Sequence, residues 1–217
     1  MLILVVHIRK FFVKHMEWLY EKIENIKLNR GYIVKDGFFP PKLAEQLRKL
    51  ALDGNIPYNR SYPDGYLARD FDNQGGLSMR HLVKEYVTPS LAVLDDRKYF
   101  RSWSFTYNTK CNGVYTHADP SFLNINVWVT PTSCVKDKSK NGLILYRKKV
   151  PKGWTWKDYN QDREKIDNFL KGIKYDRIPY KFNRAVIFTG NTFHSTDSVH
   201  TKPGDENRRV NYTFLYK

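Results

Sequence analysis

The chain has 217 residues, 41% of them hydrophobic and 15% aromatic, enough to bury one sizeable core and too many to leave the chain disordered. Lys and Arg number 37 against 22 Asp and Glu, a formal charge of +15, the balance of a protein that meets nucleic acid or another anionic surface. Only Cys111 and Cys134 are present, which excludes a disulfide-stapled scaffold and a cysteine zinc site and fits a reducing, cytoplasmic setting.

The apolar start Met1 to Val6 is broken by His7, Arg9 and Lys10 and is far too short to span a membrane. Residues 8–28 carry Phe11, Phe12, Met16, Leu19, Tyr20, Ile23 and Ile26 at spacings of three and four, which predicts an amphipathic helix. Residues 1–30 are therefore read as a helical extension packed on a domain spanning 31–217. The segment from Gly31 to Phe39 predicts a short strand and turn. Pro40 and Pro41 then open a helix over 42–52, with Leu43, Leu47 and Leu50 or Ala51 facing inward. Residues 53–78 show no period and read as one long loop, and a further helix is expected over 79–94. After Phe100 the texture becomes β-rich. Strands are expected at 101–107, 114–116, 122–130, 142–147, 177–180, 185–189 and 209–216, interrupted by a helix over 156–170. Many short strands at this spacing imply a sandwich or barrel, so the fold class is mainly β with flanking helices.

Six histidines occur, and three of them, His7, His15 and His81, have no metal-ligand company. His117-Ala-Asp119 differs, because residues two apart near a strand reach the same side. About 0.6 such pairs are expected by chance in a chain of this composition, so context decides. The pair lies between two predicted strands, and His194 stands at the exit of another strong strand running from Ala185 to His194. Strands remote in sequence can be neighbours in a Greek-key barrel. Two His and one carboxylate form the facial triad of non-haem Fe(II) oxygenases. A strand beginning Arg208-Arg209-Val-Asn211 supplies a guanidinium able to hold a carboxylate bidentately. His200 reads as a loop residue.

In this order the elements resemble the Fe(II)/2-oxoglutarate-dependent dioxygenases, in particular their prolyl-4-hydroxylase-like branch. The resemblance runs from Gly31 to Lys217. It rests on Gly31 to Leu43 as first strand and helix, on Tyr107, Gly113 and Tyr115 before His117-Ala-Asp119, and on Asn124 to Pro131 and Asn141 to Tyr146 as the next strands. Asn183 to His194 resembles the strand delivering the distal histidine, and Arg209-Val-Asn211 is similar to the family's Arg-x-Ser. It implies a double-stranded β-helix, or jelly-roll, core packed against the N-terminal helices. It implies Fe(II) on His117, Asp119 and His194, and 2-oxoglutarate held by Arg209 with Tyr107 and Asn126 lining its pocket. It also implies O2 as cosubstrate, ascorbate as a supporting reductant, and hydroxylation of a substrate with release of succinate and CO2. The collagen-type branch uses Lys where Arg209 stands, and Arg208 competes for the role. The long loop would border the substrate entrance, making Tyr62, Tyr66 and Arg69 candidate substrate contacts.

Two other readings stay open. One is a non-catalytic jelly-roll module, and the other a cupin-type enzyme using a different metal without 2-oxoglutarate. Residues 136–184 hold 15 Lys and Arg against 6 Asp and Glu, so most of the excess charge falls there. That stretch is either a solvated face or a surface that recruits an acidic peptide or nucleic acid. Trp154, Trp156 and Tyr159 read as the seal of a helix on a sheet, with base or substrate stacking as the alternative. The substrate itself, small molecule, peptide or nucleic acid, is not encoded in any motif.

Overall fold

The computed structural model describes residues 31–53, 59–70, 83–87 and 99–217. The expected helix over 8–28 lies outside them, as does most of the one expected over 79–94, of which Val83–Val87 forms a π-helical turn.

Twelve strands and two α-helices form the described fold. β1 (Tyr32–Asp36) leads through Phe38 and Phe39 into α1 (Pro41–Leu52). β2 (Asn59–Tyr62), β3 (Tyr66–Asp70), β4 (Tyr99–Tyr107), β6 (Leu123–Trp128), β9 (Arg184–Thr189) and β12 (Val210–Tyr216) join β1 in a seven-stranded antiparallel sheet of order β1-β9-β6-β12-β4-β3-β2. β7 (Leu143–Lys149), β8 (Tyr175–Ile178) and β10 (Thr192–Thr196) form a three-stranded sheet of order β10-β7-β8, and β5 (Lys110–Cys111) pairs with β11 (Val199–His200). α2 (Arg163–Leu170) interrupts the strands.

Alternation along β12 explains how the large sheet sits. Val210, Tyr212, Phe214 and Tyr216 face one side and join Leu47, Ala44 and Ala51 of α1 in the main apolar core. The Tyr212 hydroxyl donates to the Leu47 carbonyl at 2.8 Å. Asn211 and Thr213 fall on the opposite face with Trp128 and Asn126 of β6, their register partners. That inner face closes on the small sheet through Trp128, Leu143, Leu145, Tyr180, Val186 and Phe188. α2 covers the outer face of the small sheet, packing Ile166 and Leu170 on Phe193 of β10. This is the double-stranded β-helix with flanking helices expected from the sequence.

Several expectations are corrected. Residues 53–78 are not all loop: β2 and β3 form a hairpin on the sheet edge, turned by Pro63-Asp64-Gly65 with Gly65 at φ 86°. The Pro-Asp-Gly turn signal sits between two Tyr-bearing runs, and the polar residues around it obscured the strands. Residues 114–116 are not a strand, and Lys110–Cys111 pairs instead. The strand leading to His194 breaks at Gly190-Asn191, so His194 lies within β10 and in the other sheet. The helix over 156–170 is split: a π-helical turn at Lys157–Gln161 precedes Asp162, whose carboxylate caps α2 by accepting from the Lys165 amide at 3.0 Å. Of the two alternatives left open in α1, Ala51 is the buried residue and Leu50 is exposed.

Asn183 ties the first strand and helix to the barrel. It is buried at φ 57°, its Oδ1 accepts from the Phe39 amide at 2.9 Å, and its Nδ2 donates to the Phe39 carbonyl at 2.6 Å. Asn183→Ala strands the Phe39 amide and carbonyl and puts Ala in a left-handed conformation it disfavours, and should lower unfolding free energy by about 3 kcal/mol. Asn183→Gly should lose about 1 kcal/mol less, because only the hydrogen bonds go. Urea titration checks this; an Asn183→Ala protein as stable as the parent contradicts it.

Candidate metal and cosubstrate site

The segment before β6 crosses β10 and exchanges two backbone hydrogen bonds with it: His117 N to His194 O at 2.9 Å and His194 N to His117 O at 2.8 Å. This pairing brings the imidazole centroids to 4.3 Å. Two glycines allow the approach. Gly113, at φ 76°, passes so close to Thr196 that a Cβ would sit 2.8 Å from its side chain. At Gly190 a Cβ would lie 2.1 Å from the Ser121 carbonyl, and the Gly190 carbonyl accepts from the Asp119 amide at 2.9 Å.

His117, Asp119 and His194 offer ligand atoms that all lie within 4.8 Å of one another. Each imidazole is oriented by the backbone: His117 Nδ1 lies 2.7 Å from the Tyr115 carbonyl, and His194 Nδ1 lies 3.0 Å from the Thr192 carbonyl. A carbonyl only accepts, so both Nδ1 atoms carry the proton and both Nε2 lone pairs are free. Those Nε2 atoms lie 3.6 and 3.5 Å from Asp119 Oδ1 and Oδ2. Burial pulls the His194 pKa down to about 4, His117 adds to the shift and Asp119 opposes it. The ring is therefore neutral at neutral pH and able to offer its Nε2 lone pair to a metal. Two imidazoles and one carboxylate on one side of a gap suit a divalent first-row metal.

Sequence reasoning missed Asn124. It is fully buried on β6, its Nδ2 donates to Asp119 Oδ2 at 2.6 Å, and its Oδ1 accepts from Ser121. One carboxylate oxygen is thus fixed and the other left to the gap. The only sequence signal was an Asn within a strongly apolar strand.

Arg209 is fully buried immediately before β12. Its guanidinium carbon lies 4.6 Å from the Tyr107 ring centre, 5.7 Å from that of Trp128 and 5.6 Å from that of Tyr180. Nε donates to the Asn141 carbonyl at 2.6 Å and Nη1 to Asn211 Oδ1 at 2.8 Å, while Nη2 is buried without a partner. Arg208 points elsewhere, half-buried and bonded to the Tyr107 carbonyl and Asn108 Oδ1 at 3.1 and 3.2 Å. The Tyr107 hydroxyl lies 3.0 Å from Thr196 Oγ1, and burial pushes its pKa upward. Asn126 lies on β6 between Asn124 and Trp128, on the same face as both.

Of the three candidate substrate contacts, Tyr62 and Tyr66 stack at 4.5 Å, and Tyr66 reaches the Tyr107 ring at 5.8 Å. Arg69 is not with them. It is buried on the other side of β3 and donates to the Ala51 carbonyl, closing the C-terminus of α1. His200 is exposed, and its backbone amide donates to Asn141 Oδ1 at 2.6 Å. The basic stretch is in part neutralised: Arg147, Arg163, Lys165, Arg177, Lys181 and Arg184 all pair with carboxylates. Trp154 packs on Phe169 and Phe193 and seals α2, whereas Trp156 is exposed.

No protein-family model and no curated protein matches the sequence. Solved structures do match the fold. The non-haem α-ketoglutarate-dependent epimerase SnoN of nogalamycin biosynthesis aligns with a TM-score of 0.68 at 10% identity, over 92% of this chain and 83% of SnoN. A Pseudomonas putida prolyl-4-hydroxylase aligns at 0.59 and 8% identity, over 92% of this chain and 98% of the hydroxylase. HygX from Streptomyces hygroscopicus, solved with nickel and 2-oxoglutarate, aligns at 0.59 and 12% identity, over 90% and 85%. The chain thus has the double-stranded β-helix fold of these oxygenases.

His194→Ala should abolish tight binding of Co(II) or Fe(II). Asn124→Ala, which keeps all three ligands, should weaken it about 10- to 100-fold. Metal titration of the purified protein measures both, and unchanged affinity in either variant contradicts the assignment.

Proposed function

We propose that the protein is an Fe(II)- and 2-oxoglutarate-dependent dioxygenase, a hydroxylase in the manner of the prolyl hydroxylases. The observation that carries this reading is a metal-binding triad in a barrel that also buries a guanidinium with an unused donor. An unpaired buried N–H costs about 1–3 kcal/mol, and a carboxylate removes that cost. Fe(II) with 2-oxoglutarate and O2 supplies oxidative decarboxylation to succinate and CO2 coupled to oxidation of a substrate C–H bond.

The chain's own residues do the rest. His117 and His194 present Nε2, with their tautomers fixed by the Tyr115 and Thr192 carbonyls. Asp119 presents the oxygen that Asn124 leaves free. Arg209 Nη2 takes the distal carboxylate of 2-oxoglutarate, held in place by the aromatic rings around it. Tyr107, neutral by burial, and Asn126 line the same pocket. Tyr62 and Tyr66 flank it from the hairpin and contact the substrate. A non-catalytic module gives no reason for the unpaired Arg209 nitrogen, and neither does a cupin-type enzyme without 2-oxoglutarate.

Residues 31–217 form the oxygenase domain in this reading, and 1–30 an extension. Among the described residues no helix is long and apolar enough to cross a membrane. The free Cys111 and Cys134 support a cytoplasmic setting. The substrate is an unidentified small molecule, peptide or nucleic acid. SnoN and HygX have been solved with nogalamycin RO and hygromycin B, which supports a small molecule first.

With Fe(II) and ascorbate, the protein should release labelled CO2 from 1-labelled 2-oxoglutarate slowly even without substrate. Arg209→Ala should raise the KM for 2-oxoglutarate by about 100-fold, the loss of a buried charge-assisted contact, and Arg208→Ala should leave it unchanged. Absence of any 2-oxoglutarate turnover in the parent protein sinks the proposal.

A further inference from the structure

Four polar side chains form a row on the barrel-facing side of β12 and β6. Arg209 Nη1 donates to Asn211 Oδ1 at 2.8 Å, and Asn211 Nδ2 donates to Thr213 Oγ1 at 3.4 Å. Asn126, the register partner of Thr213, places its amide 3.1 Å from the same hydroxyl. The row has a direction. A guanidinium only donates, so the Asn211 oxygen faces Arg209 and its NH2 faces Thr213. The Thr213 hydroxyl therefore accepts from Asn211 and must send its own proton elsewhere.

Asn126 decides where. With Nδ2 turned to Thr213, the hydroxyl accepts twice, its own proton has no acceptor among the described residues, and Asn126 Oδ1 is buried without a partner. A half-turn of the amide exchanges two atoms of nearly equal size, gives the hydroxyl proton its acceptor and pairs Oδ1, leaving only the NH2 without a partner. Thr213 then donates to Oδ1, and the Asn126 NH2 becomes the free end of the chain. That end is well placed. Asn124, two residues before on the same face, holds the metal-ligating carboxylate; Trp128, two residues after, lies beside the Arg209 guanidinium. A dicarboxylate with one end on the metal and the other on Arg209 passes Asn126.

We infer that this directed chain presents the Asn126 NH2 as a second donor to bound 2-oxoglutarate, and that Thr213 is the positioning residue that sets its orientation. The inference rests on the dioxygenase reading and adds to it how the chain enforces polarity in the pocket. Donors at both ends of the row, rather than a donor and an acceptor, select an anionic ligand over a neutral one of the same shape.

The test is calorimetric titration of 2-oxoglutarate into the full-length protein loaded with Mn(II), which binds the site without turnover. Thr213→Val keeps shape and removes the hydroxyl. It should weaken 2-oxoglutarate binding about tenfold while Mn(II) affinity, the control for folding, stays unchanged. Thr213→Ser should bind within about twofold of the parent, since it keeps the hydroxyl. On an Asn126→Ala background Thr213→Val should cost nothing more, because Thr213 acts through Asn126. Parent-like binding by Thr213→Val, or its full effect persisting without Asn126, overturns the inference alone. A parent protein that binds no 2-oxoglutarate overturns both it and the dioxygenase reading.

Discussion

The reciprocal pair of backbone hydrogen bonds between His117 and His194 ties together parts of the chain that belong to different sheets. One strand, β10, lies in the small sheet; the other partner is the segment that runs into β6 at the centre of the large one. In sequence the two histidines are far apart, and each bond is worth only about 1 kcal/mol net. Their importance is geometric. They set the height at which the two imidazoles meet, and the Gly190 carbonyl then brings Asp119 to the same height. Gly113 and Gly190 are where this proximity would fail, since each has a neighbour inside the space a side chain needs.

The second constraint is the two-faced character of β12 and β6. One face is apolar and packs on α1; the other carries Arg209, Asn211, Thr213, Asn124 and Asn126 into the interior of the barrel. Burying that many polar groups is tolerable only where each finds a partner, and most do, in the links from Arg209 to Thr213 and from Asn124 to Asp119. The exceptions, Arg209 Nη2 and the free end of Asn126, lie on this interior face. Two of the buried polar atoms without a partner thus lie where a charged ligand would lie. The aromatic rings of Tyr107, Trp128 and Tyr180 keep the guanidinium from turning away to solvent.

The triad was legible in the sequence because its spacing is local at His117-Ala-Asp119 and because His194 follows an unmistakable strand. Arg209 was legible because period-two alternation allows only one of two adjacent arginines inside. What escaped was set by tertiary contact. The role of Asn124 depends on a carboxylate five residues back that folds over it, and a strand pattern does not encode that. Arg69 looked like an entrance residue because its segment read as a loop. Once the segment pairs as a strand, alternation sends Arg69 to the helix side and Tyr66 to the barrel side. The break at Gly190-Asn191 was hidden by β-branched and aromatic residues on both sides of it, which read as one continuous strand. The basic stretch gave a large number and little geometry, since its ion pairs draw on carboxylates distant in sequence, Asp36, Asp64 and Asp197 among them.

The central claim is that three side chains and no others grip one metal ion, with the imidazoles coordinating through Nε2. A crystal structure of the protein with Fe(II) and 2-oxoglutarate under anaerobic conditions, with anomalous data at the iron edge, tests it most directly. One peak should appear about 2.0–2.3 Å from His117 Nε2, His194 Nε2 and a single oxygen of Asp119. No peak there, or a peak bound through Nδ1 after the rings have left the Tyr115 and Thr192 carbonyls, contradicts the account.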